Sequence, residues 1–149
     1  MERHDELQGG EVLMIGLEDE IFAFQAVFVR EILDPVPITE VPGARAFVKG
    51  LINVRGKVVP LADLRLRFGM NATAQTIDTR IVVLEMLYQG EPTVVGILAD
   101  KVYEVTEMDS ASFEEPPRVG MRWRSEFVRA IGKRNEDFII VPNMEKIFN

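Results

Sequence analysis

Few side chains in this sequence are equipped for chemistry, and their spacing suits recognition better than reaction. Arg55 lies in Asn53-Val54-Arg55-Gly56, a tight-turn sequence between two apolar runs. A guanidinium presents five N–H donors in a rigid planar fork that matches a carboxylate. Glu31 is the candidate partner, and the expected consequence is an ion pair that fixes the turn for docking. Catalytic readings fare poorly. His4 is the only histidine and sits in a polar N-terminal stretch, and there is no cysteine. Disulfides, thiolate metal sites and a cysteine nucleophile are thereby excluded. The paired carboxylates Glu18/Glu20 and Glu114-Glu115 read as solvated loop charge, without a D-x-D calcium loop or an H-E-x-x-H around them. Gly9-Gly10 lacks the Lys and Ser/Thr of a phosphate-binding loop. No catalytic residue, metal or cofactor is expected.

The elements that position Arg55 and Glu31 are short strands. Val12 to Leu17 and Ile21 to Phe24 flank the polar Glu18-Asp19-Glu20 and read as a hairpin. Ala26 to Leu33 fits a strand or a short helical turn. Pro35, Pro37 and Pro42-Gly43 punctuate a loop. Phe47 to Ile52 and Lys57 to Leu64 form a second hairpin around the Asn53–Gly56 turn. Asp63 to Phe68 closes with one helical turn stopped by Gly69, and Asn71 to Thr79 is a polar linker. Arg80 to Tyr88 and Thr93 to Ala99 flank a Gln89-Gly90-Glu91-Pro92 turn, and Val102 to Met108 alternates apolar and polar residues. Asp109 to Glu126, broken by Pro116-Pro117 and Gly120, is a loop with one short helix. Phe127 to Ile131 and Phe138 to Val141 are a last strand pair, and Asn143 caps a final helix, Met144 to Phe148. Many short strands with turns between them indicate a sandwich or barrels.

The two halves look alike. Ile21–Ile32 laid on Val94–Val105 matches Ala26 with Ala99, Val29 with Val102 and Glu31 with Glu104. Phe47–Phe68 laid on Phe127–Phe148 matches Phe47 with Phe127, Val48 with Val128 and Phe68 with Phe148. A pseudo-repeat of two small barrels follows. Barrels of that size bury only about 60% of their unfolded surface, so they are expected to pack together and leave a cleft between them. Composition agrees with a folded domain: 47% apolar residues, 28% charged, and a net charge of −7 across 149 residues. Seventeen basic residues spread along the chain argue against nucleic acid, which needs clustered Lys and Arg. No apolar run is long enough to span a bilayer, and Met1–Gly10 lacks a signal-peptide core. The cytoplasm is the expected location.

Val29-Arg30-Glu31-Ile32, Val41-Pro42-Gly43-Ala44 and the run Phe47–Arg65 resemble the signature of the CheW-like family, the coupling proteins of bacterial chemotaxis arrays. The N-[LV]-R-G hairpin followed by V-P-x-x-D-L is its most specific part. The second half agrees through Arg80–Leu84, Val95–Val102 and Phe138–Val141. The resemblance implies an all-β fold of two fused five-stranded barrels of the Src-homology-three type, with short helices in connections and at the C-terminus. It also implies a non-catalytic adaptor that joins the regulatory domain of the histidine kinase CheA to the cytoplasmic tip of chemoreceptors. Carried over residue by residue, Val29, Glu31, Ile32 and Gly50 face the kinase. Asn53, Arg55, Gly56, Val102 and Val105 belong to the receptor-facing side. Trp123 matches no family motif. The expected organisation is a flexible tail, 1–11, and one domain, 12–149, split into barrels of roughly 18–79 and of 12–17 plus 80–148. A monomer without membrane insertion is expected, with no receiver domain after Asn149 and no kinase domain before the first strand. The alternatives are an adaptor of a parallel receptor–kinase pathway such as twitching motility, or a small barrel binding single-stranded nucleic acid.

Overall fold

Two stretches, Val12–Leu17 and Ile81–Leu84, are continuously apolar where a half-exposed strand would alternate. The computed structural model, which describes residues 10–117 and 124–149, gives the reason: both faces of these strands are buried. In β1 (Gly10–Leu17), Leu13, Ile15 and Leu17 enter one cluster while Val12 and Met14 enter another. In β6 (Arg80–Tyr88), Val82 and Leu84 join the first cluster while Ile81 and Val83 join a third.

The chain continues from β1 into β2 (Glu20–Gln25), a single 3-10 turn at Ala26–Phe28, and β3 (Val29–Leu33). After the proline loop come β4 (Val48–Val54), β5 (Lys57–Ala62) and α1 (Leu64–Arg67). Beyond the linker, β6 is followed by β7 (Glu91–Ala99) and β8 (Lys101–Met108). A two-residue β9 (Phe113–Glu114), then β10 (Val128–Arg134), β11 (Asp137–Pro142) and α2 (Met144–Phe148) complete the described residues. Each hairpin turns on two residues, Glu18-Asp19, Arg55-Gly56, Gln89-Gly90 and Asn135-Glu136. Their first residues have φ between 52° and 58°, the left-handed geometry that suits the twist of flanking strands. The loops are shorter than the polar residues alone suggest, because Val54, Glu20, Glu91 and Pro92 lie within strands. Ala26–Leu33 proves to be a helical turn followed by a strand.

The strands form two sheets, ordered β8-β1-β2-β11-β10-β9 and β3-β6-β7-β5-β4. One has six strands where five were expected, since β9 adds to the edge of β10. The repeat is exact in register. Moving β4–β5 on by 80 residues reproduces every row of β10–β11, including the bulge at Val48/Gly50, which reappears at Val128/Ala130. The rows Val29↔Leu84, Ile32↔Val82 and Leu33↔Ile81 become Val102↔Ile15, Val105↔Leu13 and Thr106↔Val12. The helices correspond as well: Asp63 caps α1 through the Arg65 N–H, and Asn143 caps α2 through the Lys146 N–H.

The expected boundaries between barrels do not hold. Residues 18–79 do not form one unit, because β2 pairs with β1 and β11 while β6 and β7 pair with β3 and β5. Each sheet takes its first hairpin from one repeat and its other repeat strands from the second. β3 and β8 leave the hairpins that precede them and cross to the other sheet. Gly10 and Glu11 belong to β1 and not to a tail. His4, Gly9 and Trp123 lie outside the described residues.

Among the described residues, a shared core stands where a cleft between barrels was expected. The largest cluster fills that space, with Phe22, Phe24, Leu13 and Ile15 from one sheet against Val82, Leu84, Val95 and Ile97 from the other. Phe22, Phe68 and Phe127 pack edge to face, with centroids 5.2 and 6.0 Å apart. A buried ionic knot fastens the crossover. Arg65 donates through Nε and Nη2 to both oxygens of Asp63 (2.9 and 2.8 Å) and through Nη1 to Asp100 (2.7 Å). Asp100, between β7 and β8, accepts in turn from the Glu18 N–H at 2.7 Å. The hydrogen bond to Asp63 raises the Arg65 guanidinium above its usual value against the opposing effect of burial, with the charges of Asp63, Asp100 and Glu18 adding. Asp63 is fully buried, so removing its partner strands a charge. Arg65→Ala is therefore expected to cost about 3–5 kcal/mol in urea unfolding, and adding Asp63→Asn to recover part of that loss. An unchanged midpoint in Arg65→Ala would show the knot to be dispensable.

Candidate functional site

β3 and β4 stand at opposite ends of the five-stranded sheet, yet one ion pair spans them. Arg55 Nε donates to Glu31 at 3.1 and 3.3 Å. The hydrogen bond, and then the charge of Glu31, raise the Arg55 guanidinium above its ordinary value. The pair thus bridges the two ends of the sheet at its surface. Asn53 fixes the turn, its Oδ1 accepting from the Gly56 N–H at 2.8 Å, and Gly56 supplies φ +82°.

The equivalent place in the other sheet carries an equivalent pair. Glu104 on β8 corresponds to Glu31, and Arg134 at the end of β10 meets it at 3.3 Å. Arg134 comes from the neighbour of the position that matches Arg55, which is Asn135. Exposed apolar side chains accompany both pairs. Ile32 on β3 is 43% exposed and Val105, its counterpart on β8, 53%. Val58 and Phe138, 80 residues apart in the matching hairpins, are 70% and 64% exposed. Val27 and Phe28 lead into the first edge and Tyr103 lies within the second, all exposed.

The expected site residues are redistributed by this geometry. Glu31 and Arg55, assigned to different faces, are bonded to each other. Val29 and Val102 are half-buried against the shared core, so Ile32 and Val105 are the apolar members open to a partner. Val102 and Val105 lie on the opposite sheet from Asn53, Arg55 and Gly56. Gly50 is buried and leaves no room for a partner's side chain. A Cβ there would collide with the carbonyl oxygen of Thr39, which bridges to Leu51 beside it. Val58, Phe138 and Arg134 carried no signal of their own in the sequence, although the repeat pairs Val58 with Phe138. Among the described residues no group of three His, Asp or Glu side chains converges to hold a metal ion, and no helix is long and apolar enough to cross a membrane.

The family model for the CheW-like domain matches residues 11–149. The chain belongs to the CheW-like domain family. Among CheW-like relatives, the chemotaxis protein CheW of Rhizobium meliloti is 29% identical over 140 residues, covering 94% of this chain and 88% of its own. That of Helicobacter pylori is 30% identical over 129 residues, covering 87% and 75%. The crystal structure of the scaffolding protein TtCheW from Thermoanaerobacter tengcongensis superposes with a TM-score of 0.85 at 30% identity, covering 100% of this chain and 94% of that one. The described residues thus share the CheW-like fold, and the two edges belong to it.

Gly50 offers a check on the site's backbone. With φ +147° and Thr39 against it, Gly50→Ala is expected to destabilise the protein by about 1–3 kcal/mol and to lose the Thr39–Leu51 bridge, read as faster exchange of the Leu51 amide. Unaltered stability would remove the steric account of this glycine.

Proposed function

We propose that this protein is a scaffold of chemotaxis signalling that joins the histidine kinase CheA to chemoreceptors and performs no reaction of its own. The observation that carries this reading is the pair of related edges, each presenting exposed apolar side chains beside an ion pair, on sheets that share one core. Exposed apolar residues ringed by polar ones are a mark of protein docking surfaces. Family membership and the relatives named for chemotaxis support the choice of pathway. The edge of β3, with Glu31, Ile32 and the Arg55 turn, receives the regulatory domain of the kinase. Arg55 is placed here because its bond to Glu31 makes the two one surface. The edge of β8, with Val105 and the half-buried Val102, receives the receptor tip. The ion pairs orient the partner, while the apolar side chains supply the energy of contact.

Both apolar positions are exposed enough to mutate without disturbing the core. Ile32→Asp is expected to weaken binding of a purified CheA regulatory domain by about tenfold or more and to leave the receptor fragment unaffected, with Val105→Asp doing the reverse. Biolayer interferometry against each partner reads both constants. If both variants bind both partners as the intact chain does, the edges are not the docking surfaces.

A further inference from the structure

Phe47 and Phe127 are equivalent in the two repeats, and their carbonyls accept from the Asp63 and Asn143 N–H groups at 2.7 and 2.8 Å. Three arginines gather over these rings. The Arg67 guanidinium lies 4.5 Å from the centroid of Phe127 and 5.2 Å from that of Phe47. Arg45 stands over Phe47 at 4.9 Å and Arg124 over Phe127 at 5.2 Å. Little neutralises them. Arg124 pairs with Glu126. Arg45 donates to the carbonyls of Phe148 and Asn149 at 2.9 and 3.0 Å, and Arg67 donates through Nε to that of Ile147 at 3.0 Å. Among the described residues neither Arg45 nor Arg67 meets an Asp or Glu side chain, and the Asn149 oxygen that Arg45 holds is that of the last residue. Burial first, and then the charges of Arg45 and Arg124, lower the Arg67 guanidinium below its usual value, with Glu126 opposing. In a chain of net charge −7, this is a local concentration of positive charge with no evident use in either docking edge.

We propose that the Arg45–Arg67–Arg124 ladder is a docking site for an acidic peptide segment of a partner protein. A guanidinium stacked on an aromatic ring keeps its in-plane N–H donors available at its edges. Arg45 and Arg67 keep N–H groups beyond those bonded to α2 and its end, and Arg124 can exchange Glu126 for another carboxylate, so the three in succession suit a segment bearing two or three Asp or Glu side chains. An anionic bilayer fits less well. The repulsion of a chain this acidic acts over a screening length of about 10 Å, which opposes an extended negative surface more than a single strand of peptide.

The test uses the full chain and a fluorescein-labelled hexaglutamate peptide, read by anisotropy at about 50 mM NaCl, where screening is weak. An Arg45→Gln/Arg124→Gln double variant is compared with Lys49→Gln/Lys133→Gln, which removes the same charge elsewhere. Arg67 is left in place because it is half-buried over both rings, whereas Arg45 and Arg124 are exposed. The ladder variant is expected to bind about tenfold or more weakly and the control within about twofold of the intact chain, with both melting as folded proteins. The proposal is overturned if the intact chain shows no saturable binding or if both double variants lose it equally. It is equally overturned if phosphatidylglycerol vesicles are bound while hexaglutamate is not.

Discussion

Everything in this molecule depends on β3 and β8 crossing between sheets. Because each repeat donates strands to both sheets, neither sheet is complete without the other half of the chain. β1 and β6 then lie with one face in their own sheet's interior and the other in the common core. Small barrels are marginal when they stand alone. Here each gains a second buried face instead of a cleft, and the hydrophobic contribution grows with the apolar area removed from water. The crossover is where polar groups must enter the interior, and Arg65 satisfies them. It binds Asp63 on its own repeat and Asp100 at the foot of β8, and Asp100 accepts from the turn between β1 and β2. Such a knot resists separation, since breaking it leaves buried charge uncompensated.

A scaffold gains from that arrangement. β3 and β8 are the strands that cross, so each proposed docking edge is paired to a hairpin of the other repeat, β3 to β6 and β8 to β1. Partners docked on the two edges as proposed would keep a fixed relation, because the core between them is close-packed and packed cores do not deform continuously. Hairpins of two residues leave little slack at the tips that carry Arg55 and, opposite it, Arg134.

Much of this was legible before the coordinates. The pairing of Arg55 with Glu31 was expected from donor geometry together with the family resemblance, and Asn143 as a helix cap from residue type, whereas the sequence marks Asp63 only as the start of a helical turn. The repeat showed in Glu31/Glu104 and Phe47/Phe127, and its register is what places Arg134 beside Glu104. What stayed hidden is non-local. No window of sequence reveals that β2 pairs with β11 in parallel, or that β7 joins β5, so a split by chain order placed the barrels wrongly. Gly50 looked open to a partner because a glycine carries no record of what approaches it, and here the approach is the Thr39 carbonyl. Val58 and Phe138 are apolar strand residues next to the buried Val59 and Ile139, and nothing in their own identity marks them as the exposed members.

Native-state hydrogen exchange across a denaturant series tests the interlocked core most directly, because it reads the opening energy of each strand separately. If the repeats share one core, the slowest amides of β1 and β2 and those of β6 and β7 converge on a single opening free energy as denaturant rises. Two separate plateaus, one for each sheet, would mean that the barrels open independently and that the edges they carry are not held in one rigid frame.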